Sequence, residues 1–470
     1  MNRAVPLVLA VALFMEQMDS TVIATSLPAI AADIGTSPIT LKLALTAYLV
    51  ALAIFIPVSG WMADRFGAKR VFRIAIAIFM LGSIASAASG SLGEFVMARF
   101  LQGMGGAMMT PVGRLVLVRS TPRNQLVAAM AWLTVPALVG PLVGPPVGGF
   151  ITTFFTWHWI FLINIPIGLI GIVVAGRILP DMPGGGAAPL DARGLALAAI
   201  AAAGIVFGLS VVSLPALPPA VGIATLALGA VAAVAYVRHA HRTANPILDL
   251  RLLDNPVPRI AILSGSIFRI GIGAIPFLLP LMFQLAFGLT PFESGMLTFA
   301  SAMGAISLKF FATTFLKAIG FRNVLLFASL AGALLMAANA FFNPQTPHWT
   351  IIVILVAAGF LRSLFFTSNN ALVFAEIDDR QASQATAIAA VSQQISIALG
   401  VAVAGMLLEG HHFVTGEPIG LAAFSFAFLV IALIAAMSAL PILRLAPDAG
   451  MSVSGHLRKK ASEEEPPSVM

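Results

Sequence analysis

The sequence predicts an all-α membrane protein with about fourteen transmembrane helices. Three observations support this prediction: an apolar composition, long apolar runs, and basic residues confined to alternate loops. Of the 470 residues, 59% are apolar and 10% are charged, whereas a soluble domain carries about 25% charged residues. A soluble protein of this composition could not cover its surface against water, so lipid must be its solvent.

The apolar runs have the length of membrane spans. A helix needs roughly 20 mostly apolar residues to cross the hydrocarbon core. Such runs occupy about 5–28, 41–62, 72–90, 94–117, 125–150, 158–178, 193–214, 217–237, 259–285, 292–314, 322–342, 348–372, 384–408 and 420–443. The first run resembles a signal peptide, but Glu16 and Asp19 interrupt it. We therefore interpret it as a span that the mature protein retains.

The basic residues of the loops indicate the orientation. If the N-terminus is cytosolic, the arginines and lysines of the loops lie on the cytosolic side, and Lys42 alone lies outside. Cytosolic loops of membrane proteins carry such an excess. The bias predicts cytosolic termini and an even number of spans. It also explains the net charge of +7, so we expect no nucleic-acid partner.

Two polar stretches divide the chain. Residues 179–192 are rich in glycine and proline, and 238–258 carry many charges. Between them lie spans seven and eight, which have few polar side chains. The predicted organisation is a six-helix bundle at 1–178, a linker with two extra spans at 179–258, a second six-helix bundle at 259–443, and a disordered cytosolic tail at 444–470.

The second cytosolic turn carries a spaced motif of glycine, acid, base, glycine and paired bases, formed by Gly60, Asp64, Arg65, Gly67, Lys69 and Arg70. It resembles the signature loop of the major facilitator superfamily. Glycine would permit a tight turn between closely packed helices. An ordinary basic loop is the plainer alternative. A degraded copy, Lys317 to Arg322, occupies the corresponding loop of the second half and suggests an internal repeat.

Four further segments resemble the fourteen-helix drug:proton antiporter branch of that superfamily. They are Met18 to Pro28, Arg99 to Ala107, Gly140 to Gly149, and Trp157 to Gly168. The resemblance implies two six-helix bundles with a two-helix insert. It also implies an alternating-access exporter in the cytoplasmic membrane, driven by the proton gradient, with no substrate specified. The predicted gating residues are Gly60, Asp64, Arg65, Gly67, Arg70, Gly140, Pro141, Gly144 and Pro145.

The membrane interior contains two acids, Glu16 and Asp19, which share one face of the first span. Asp19 lies ~6 Å and Arg99 ~9 Å outward of mid-span, so the two can pair. A carboxyl group in an apolar cavity holds a proton readily, and a nearby arginine favours its release. We predict that Asp19, assisted by Glu16 and Arg99, couples transport to protons. A static Asp19–Arg99 bridge is the alternative.

The substrate is expected between the two bundles. Candidate contacts are Thr25, Gln102, Asn164, Arg269, Asn339, Arg362, Asn369, Gln393 and Gln394, although a single polar residue in a span more often makes a helix–helix hydrogen bond. Arg269 and Arg362 lie near mid-bilayer, in a half that offers no membrane acid. Two uncompensated guanidinium groups would repel dications. Arg269 and Arg362 could instead donate hydrogen bonds to helix carbonyls or form a bridge to the first half.

The chain lacks the sequence signatures of an enzyme or a primary pump. It has no Walker loop, no HExxH, no GxSxG, no metal-ligand cluster and no cysteine. We therefore predict no catalytic residues, cofactor or metal. The predicted partners are a small-molecule substrate, protons, the lipid bilayer and accessory efflux proteins, and the predicted location is a bacterial inner membrane. The alternatives are an exporter of a specific anionic metabolite and a passive facilitator without proton coupling.

Overall fold

The structure, a computed structural model, describes residues 4–122, 125–186, 189–212, 214, 217–308, 312–377 and 381–451. Within these ranges every regular element is a helix. The fourteen longest helices are α1 Ala4–Val22, α2 Lys42–Phe66, α3 Ala68–Ala87, α4 Leu92–Ser120, α5 Leu126–Phe154, α6 Asn164–Ile178, α7 Ala192–Val212, α8 Pro219–Arg242, α9 Pro256–Leu281, α10 Pro291–Ser307, α11 Ala312–Ala338, α12 His348–Phe374, α13 Ala382–Thr415 and α14 Leu421–Ala436.

Eleven helices of the described chain are long and apolar enough to cross a membrane, some of them counted with the turns that continue them. Helices suit lipid because each satisfies its own backbone hydrogen bonds. The helices α4, α5 and α10 are not among the eleven. The predicted tenth run, 292–314, covers α10, the residues 309–311 that lie outside the described ranges, and the start of α11.

The first six helices pack closely through glycine. Helix α4 lies between α2 and α3, and α1 lies along α5. A Cβ atom on Gly103 would approach the Tyr48 carbonyl oxygen to 2.5 Å, and one on Gly105 would approach the Phe79 nitrogen to 2.5 Å. The glycines of α4 therefore let two neighbouring backbones come into contact, as small residues do in membrane bundles.

The two halves of the molecule share one apolar core at a single end. This core joins Leu27 and Phe95 of the first half to Phe277 and Phe424 of the second. We call this the Lys42 end, because α2 begins there. At the opposite end, which holds Asp64 and is called the Asp64 end, each half has its own core, and the core of the second half also includes Ala53 of α2.

Helices α7 and α8 form a hairpin beside the two halves. They contact each other at Gly204 and Gly229, where backbone meets backbone. Helix α7 also packs against both α2 and α13, and its Val206 is buried with Val50 and Ala398. The hairpin thus lies over the line where α2 meets α13, which we call the α2–α13 seam.

The α2–α3 turn has a counterpart in the second half. Gly67 has φ 90° and ψ 128°, and Gly320 has φ 75° and ψ 167°. Both glycines use the left-handed region that side chains avoid. Gly320 interrupts α11 as Gly67 separates α2 from α3, which fits the predicted repeat. The side chain of Lys317 lies outside the described residues.

Candidate functional site

A buried polar cluster surrounds Asp19 in the first half. Asp19 lies on α1 with no solvent exposure. Its carboxylate accepts hydrogen bonds from Arg99 Nη1 at 2.8 Å, Gln102 Nε2 at 2.8 Å and Asn164 Nδ2 at 2.9 Å. Gln102 and Asn164 also donate to Ser83 Oγ, at 2.7 and 3.1 Å. Three helices, α1, α4 and α6, therefore meet at one carboxylate, and Ser83 of α3 holds two of its donors.

The Arg99 guanidinium is enclosed as completely as its partner. Arg99 is 1% exposed, donates to Gln102 Oε1 at 2.5 Å, and lies over the Tyr48 ring at 4.4 Å. The Phe161 ring lies 5.6 Å from the same group. A buried ion pair is tolerated in an apolar interior when hydrogen bonds compensate both charges. Here Asp19 receives three such bonds, whereas Arg99 Nε is buried without a hydrogen-bond partner in the part of the chain that the structure describes.

Glu16 lies one helical turn before Asp19 in a different environment. Its Oε2 accepts a hydrogen bond from Thr110 Oγ1 of α4 at 2.6 Å, and the residue is 6% exposed. Arg114, one turn farther along α4, is exposed. The two acids predicted to share a face do so, but only Asp19 has an ion-pair partner among the described residues.

Three predicted substrate contacts lie inside packed helices. Gln102 and Asn164 are turned toward Asp19 and are fully buried. Thr25, also fully buried, bonds to the Val22 carbonyl at 3.3 Å, and its own carbonyl accepts from Gln284 Nε2 at 3.0 Å. A substrate would reach them only by separating helices. The sequence shows that these three side chains are polar, but it does not show toward which neighbours they point.

Arg269 of the second half lies against α12. Its Nη2 donates to Asn370 Oδ1 at 3.3 Å, and its guanidinium lies 4.6 Å from the Phe366 ring centroid. The neighbouring Asn369 accepts from Ser264 Oγ at 3.4 Å. No carboxylate pairs with Arg269 in the described chain. The arginine is thus held by an amide and an aromatic face.

Arg362 and Asn339 line one small cavity. Its volume is about 20 Å³, which is room for roughly one water molecule. The Asn339 Oδ1 atom is buried without a hydrogen-bond partner. Across the described residues Arg362 makes no ion pair, and its guanidinium therefore lacks a neutralising acid. On α13, Gln393 is exposed and Gln394 is half-buried.

The α2–α3 turn is covered by the segment that follows α6. Asp64 accepts from Arg119 Nη2 at 2.7 Å, and its carbonyl accepts from the Gly185 nitrogen at 2.9 Å. A Cβ atom on Gly67 would lie 2.6 Å from the Met182 carbonyl oxygen. The segment 181–185, which we call the strap, therefore requires glycine at 67.

Gly60 does not have the turn-forming role predicted for it. It lies inside α2, which continues to Phe66, and nothing stands within 4 Å of where its Cβ would be. The tight turn begins only at Gly67. Arg65 and Arg70 are exposed at this end of the molecule.

The glycine- and proline-rich segment of α5 contacts two other helices. A Cβ atom on Gly140 would lie 3.0 Å from the Met18 nitrogen of α1, and one on Gly144 would lie 2.9 Å from Thr21 Cβ. Pro145 meets Gly295 of α10, where its carbonyl leaves no room for a side chain. Pro141 is half-buried in the same stretch. These residues thus connect α1 with the other half.

A second buried ion pair joins the two halves at the Lys42 end. Lys42 Nζ of α2 donates to Glu409 Oε2 of α13 at 2.7 Å, and the side chains are 0% and 10% exposed. The lysine stem lies against Gly405, where no side chain would fit. This pair was not predicted, because Glu409 falls just beyond the predicted end of its span. The lone basic residue on that side, Lys42, was the available signal.

The chain was compared with known proteins. The family model of the Major Facilitator Superfamily matches residues 9–244 and 261–466. A protein of Serratia proteamaculans named "Putative multidrug resistance protein MdtD" is 36% identical over 445 residues, 94% of this chain and 93% of that protein. Its Yersinia pestis namesake is 35% identical over 450 residues, 94% and 96% of the two chains.

Solved structures share the fold. A D-xylose–proton symporter superposes with a TM-score of 0.68 at 16% identity, covering 95% of this chain and 98% of the other. The xylose transporter from E. coli in an inward-open conformation gives a TM-score of 0.65 at 14% identity, covering 97% and 98%.

Proposed function

This chain belongs to the major facilitator superfamily and is a multi-pass transporter, and from that premise we propose that it exports drugs or other small amphipathic molecules by proton antiport. The proposed location is the cytoplasmic membrane of a bacterium, with both termini in the cytosol. The names of the relatives support multidrug efflux. The proton coupling is our own proposal, and it rests on the cluster around Asp19.

One observation carries the coupling proposal. Asp19 is an ionisable group within a membrane span, and side chains from three other helices contact its carboxylate or its partners. Ionisable groups at this depth are costly and usually functional. Protonating Asp19 would weaken its bond to Arg99, and the contacts among α1, α3, α4 and α6 would change together. A proton would thus alter helix packing as well as charge.

We propose fourteen spans, counting α4, α5 and α10 with the eleven apolar helices. Helix α4 lies between α2 and α3, and α10 packs against both α5 and α12. Interior helices can carry glycine and polar residues because protein rather than lipid surrounds them. The proposed units are the predicted ones: bundles at 1–178 and 259–443, the two-helix linker at 179–258, and the tail at 444–470.

The halves are proposed to rock about a site between them. They share a core and the Lys42–Glu409 pair at one end, whereas each half has its own core at the Asp64 end. We propose that the Asp64 end is cytosolic, since the basic loops lie there. The conformation described is then closed to the outside. Alternating access requires that the Lys42 end open in turn.

Reconstitution tests the function directly. Purified protein in liposomes would be given an imposed pH gradient and a panel of cationic, neutral and anionic amphipathic compounds. Uphill movement of any compound that stops when the gradient is dissipated supports antiport. Movement that only follows the substrate's own gradient would instead identify a passive facilitator.

A preference for anionic or neutral substrates is a second proposal, favoured by Arg269 and Arg362. The described part of the second half offers neither of them a carboxylate, and Asn339 beside Arg362 has an unused oxygen. An uncompensated guanidinium repels cations over several ångströms in an apolar medium. An anionic metabolite or an acceptor-rich compound would instead bind more favourably beside such a guanidinium group.

The expected result is that Arg362→Gln and Arg269→Gln lower export of a monoanionic amphiphile several-fold and leave that of a neutral analogue of equal size unchanged. The matched control is Arg251→Gln, at an exposed arginine already paired with Asp249. Initial rates in proteoliposomes, measured across substrate concentrations, provide the comparison. Strong export of divalent cations, undiminished in both variants, would contradict the proposed preference for anionic or neutral substrates.

Gly67→Val is expected to slow turnover about tenfold while substrate affinity stays unchanged. The left-handed backbone costs a side chain about 1–2 kcal/mol, and valine would also meet the strap. The site lies at the Asp64 end, away from the space between the bundles. Substrate affinity measured on the detergent-solubilised variant should therefore match that of the original protein, whereas its transport rate in proteoliposomes should be lower. The control is Gly60→Ala, where space is open. A loss of affinity at unchanged conformational equilibrium would refute the gating role.

A further inference from the structure

A groove lies between α3 and α6 at the Asp64 end. Its volume is about 670 Å³. The groove begins under the strap and runs along the outer surface of the first half, away from the cluster around Asp19. Its lining divides into a basic mouth and an apolar floor.

The mouth of the groove carries uncompensated positive charge. Lys69, Arg70 and Arg73 line it together with Asp181 of the strap. Lys69 Nζ donates to Asp181 Oδ1 at 2.8 Å, and this hydrogen bond lowers the pKa of Asp181, which stays ionised at neutral pH. One acid thus cancels one base. Arg70 and Arg73 are exposed and have no ion-pair partner within the described chain.

The floor of the groove is apolar and lies deeper. Ile74 and Ala77 of α3 and Ile172 of α6 line it. Gly176 adds no side chain, so the Arg73 guanidinium rests above it, 3.2 Å from the position of an added Cβ. From Lys69 to Ala77 the rise is ~12 Å. This distance takes the groove from the headgroup region into the hydrocarbon core, since the interfacial layer is only about 5–8 Å thick on each side.

We propose that this groove binds one anionic glycerophospholipid, with its phosphodiester between Arg70 and Arg73 and an acyl chain along Ile74 and Ile172. The order of chemistry along the groove matches that of the lipid: charge at the mouth, apolar surface below. Basic pockets at the cytoplasmic face of membrane helices attract anionic headgroups in this way. A free phosphate would satisfy the arginines but leave the apolar floor unused. A zwitterionic lipid would fill the floor but bring a cation to the arginines.

Occupancy would affect the α2–α3 turn. Phe66 and Gly67 of the turn, and Met182 of the strap, also line the groove. A bound lipid would therefore contact both sides of the place where the strap crosses the turn. The lipid would join the strap to α3 at the end where each half has its own core.

The absence of cysteine makes the site easy to monitor. Ile74→Cys, at an exposed position of the groove, would be labelled with an environment-sensitive fluorophore and placed in phosphatidylcholine nanodiscs. Increasing phosphatidylglycerol should give a saturable signal. In the Arg70→Gln/Arg73→Gln background, half-saturation should need at least about tenfold more phosphatidylglycerol, given the strength of surface cation–lipid attraction. Arg70→Lys/Arg73→Lys should retain binding, which separates charge from folding.

The matched control is Arg238→Gln/Arg242→Gln, which removes two exposed arginines of α8 at the same end, and it should leave the titration unchanged. Equal titrations in the groove and control variants would overturn the proposal. So would saturation by phosphatidylcholine alone, which would indicate an apolar crevice. Displacement of the signal by millimolar inorganic phosphate would identify a free anion, rather than a lipid, as the occupant.

Discussion

Asp19→Asn should abolish export against a gradient while the protein remains inserted in the membrane. An amide cannot take up and release the coupling proton. The asparagine keeps the size of the side chain, but its single oxygen can accept either from Arg99 or from Gln102 and Asn164, because these donors bond to different oxygens of Asp19. The measurement is substrate accumulation in proteoliposomes with and without an imposed pH gradient. A variant that still accumulates substrate uphill would exclude Asp19 as the coupling acid.

The structure adds a complication to this test. Asp19 is the ion-pair partner of Arg99, and both are almost fully buried. Removing one partner of a buried pair costs about 3–5 kcal/mol, because the other charge is left uncompensated. The single variant could thus lose transport through misfolding alone, and the static-bridge alternative would predict the same loss.

A neutral double variant separates the two explanations. Asp19→Asn/Arg99→Gln removes both charges and leaves amides that can bond to each other and to Gln102. If the pair only holds helices together, this variant should recover uphill transport. If Asp19 carries the proton, it should recover folding and downhill exchange but not uphill transport. Glu16→Gln is the single-residue control, since its partner Thr110 is uncharged, and we expect it to lower the rate only in part.

Lys42→Met should shift the conformational equilibrium at least about 100-fold toward opening of the Lys42 end. The variant leaves Glu409 buried without its cation, at a cost of about 3–5 kcal/mol, and every 1.4 kcal/mol is a factor of ten. Opening that end would expose Glu409 to water and remove the cost. The unpaired Glu409 therefore destabilises only the conformation that is closed at the Lys42 end.

Spin labels can measure this shift. Ala32→Cys and Glu417→Cys are exposed sites of the two halves near the Lys42 end, in a chain without native cysteine. The distance distribution between them should gain a longer population in Lys42→Met. Lys42→Met/Glu409→Leu, which leaves no unpaired charge, should restore the shorter distance. A distribution that is identical in all three proteins would show that the pair does not stabilise closure.

The helices could be predicted from the sequence because lipid imposes a length on each apolar run. The Asp19–Arg99 pair could be predicted too, since few charges occur at membrane depth and their positions along the helices fix their depth. Depth does not reveal rotation about the helix axis. Gln102 and Asn164 were therefore placed with the substrate, whereas the structure turns them toward Asp19.

Contacts between distant segments could not be predicted from the sequence. The strap over Gly67 depends on a chain that returns more than a hundred residues later, and nothing in the spacing of either segment indicates it. Ser83 and Thr110 gave no signal, because a single hydroxyl in a membrane helix usually bonds to its own backbone. The Lys42–Glu409 pair needed knowledge of which helices meet across the two halves.

The position of α7 has a consequence for compounds that dissolve in the bilayer. Its Val206 is buried between Val50 and Ala398, so the α2–α13 seam has a third helix in front of it. The opposite side, where α5 meets α10, has no such cover from the hairpin. A lipophilic compound diffusing in the leaflet therefore meets the hairpin on one side of the protein and the bundle helices α5 and α10 on the other. We therefore expect the α7–α8 hairpin to block lateral approach through the α2–α13 seam, so that any lateral approach to the space between the bundles would pass the α5–α10 face.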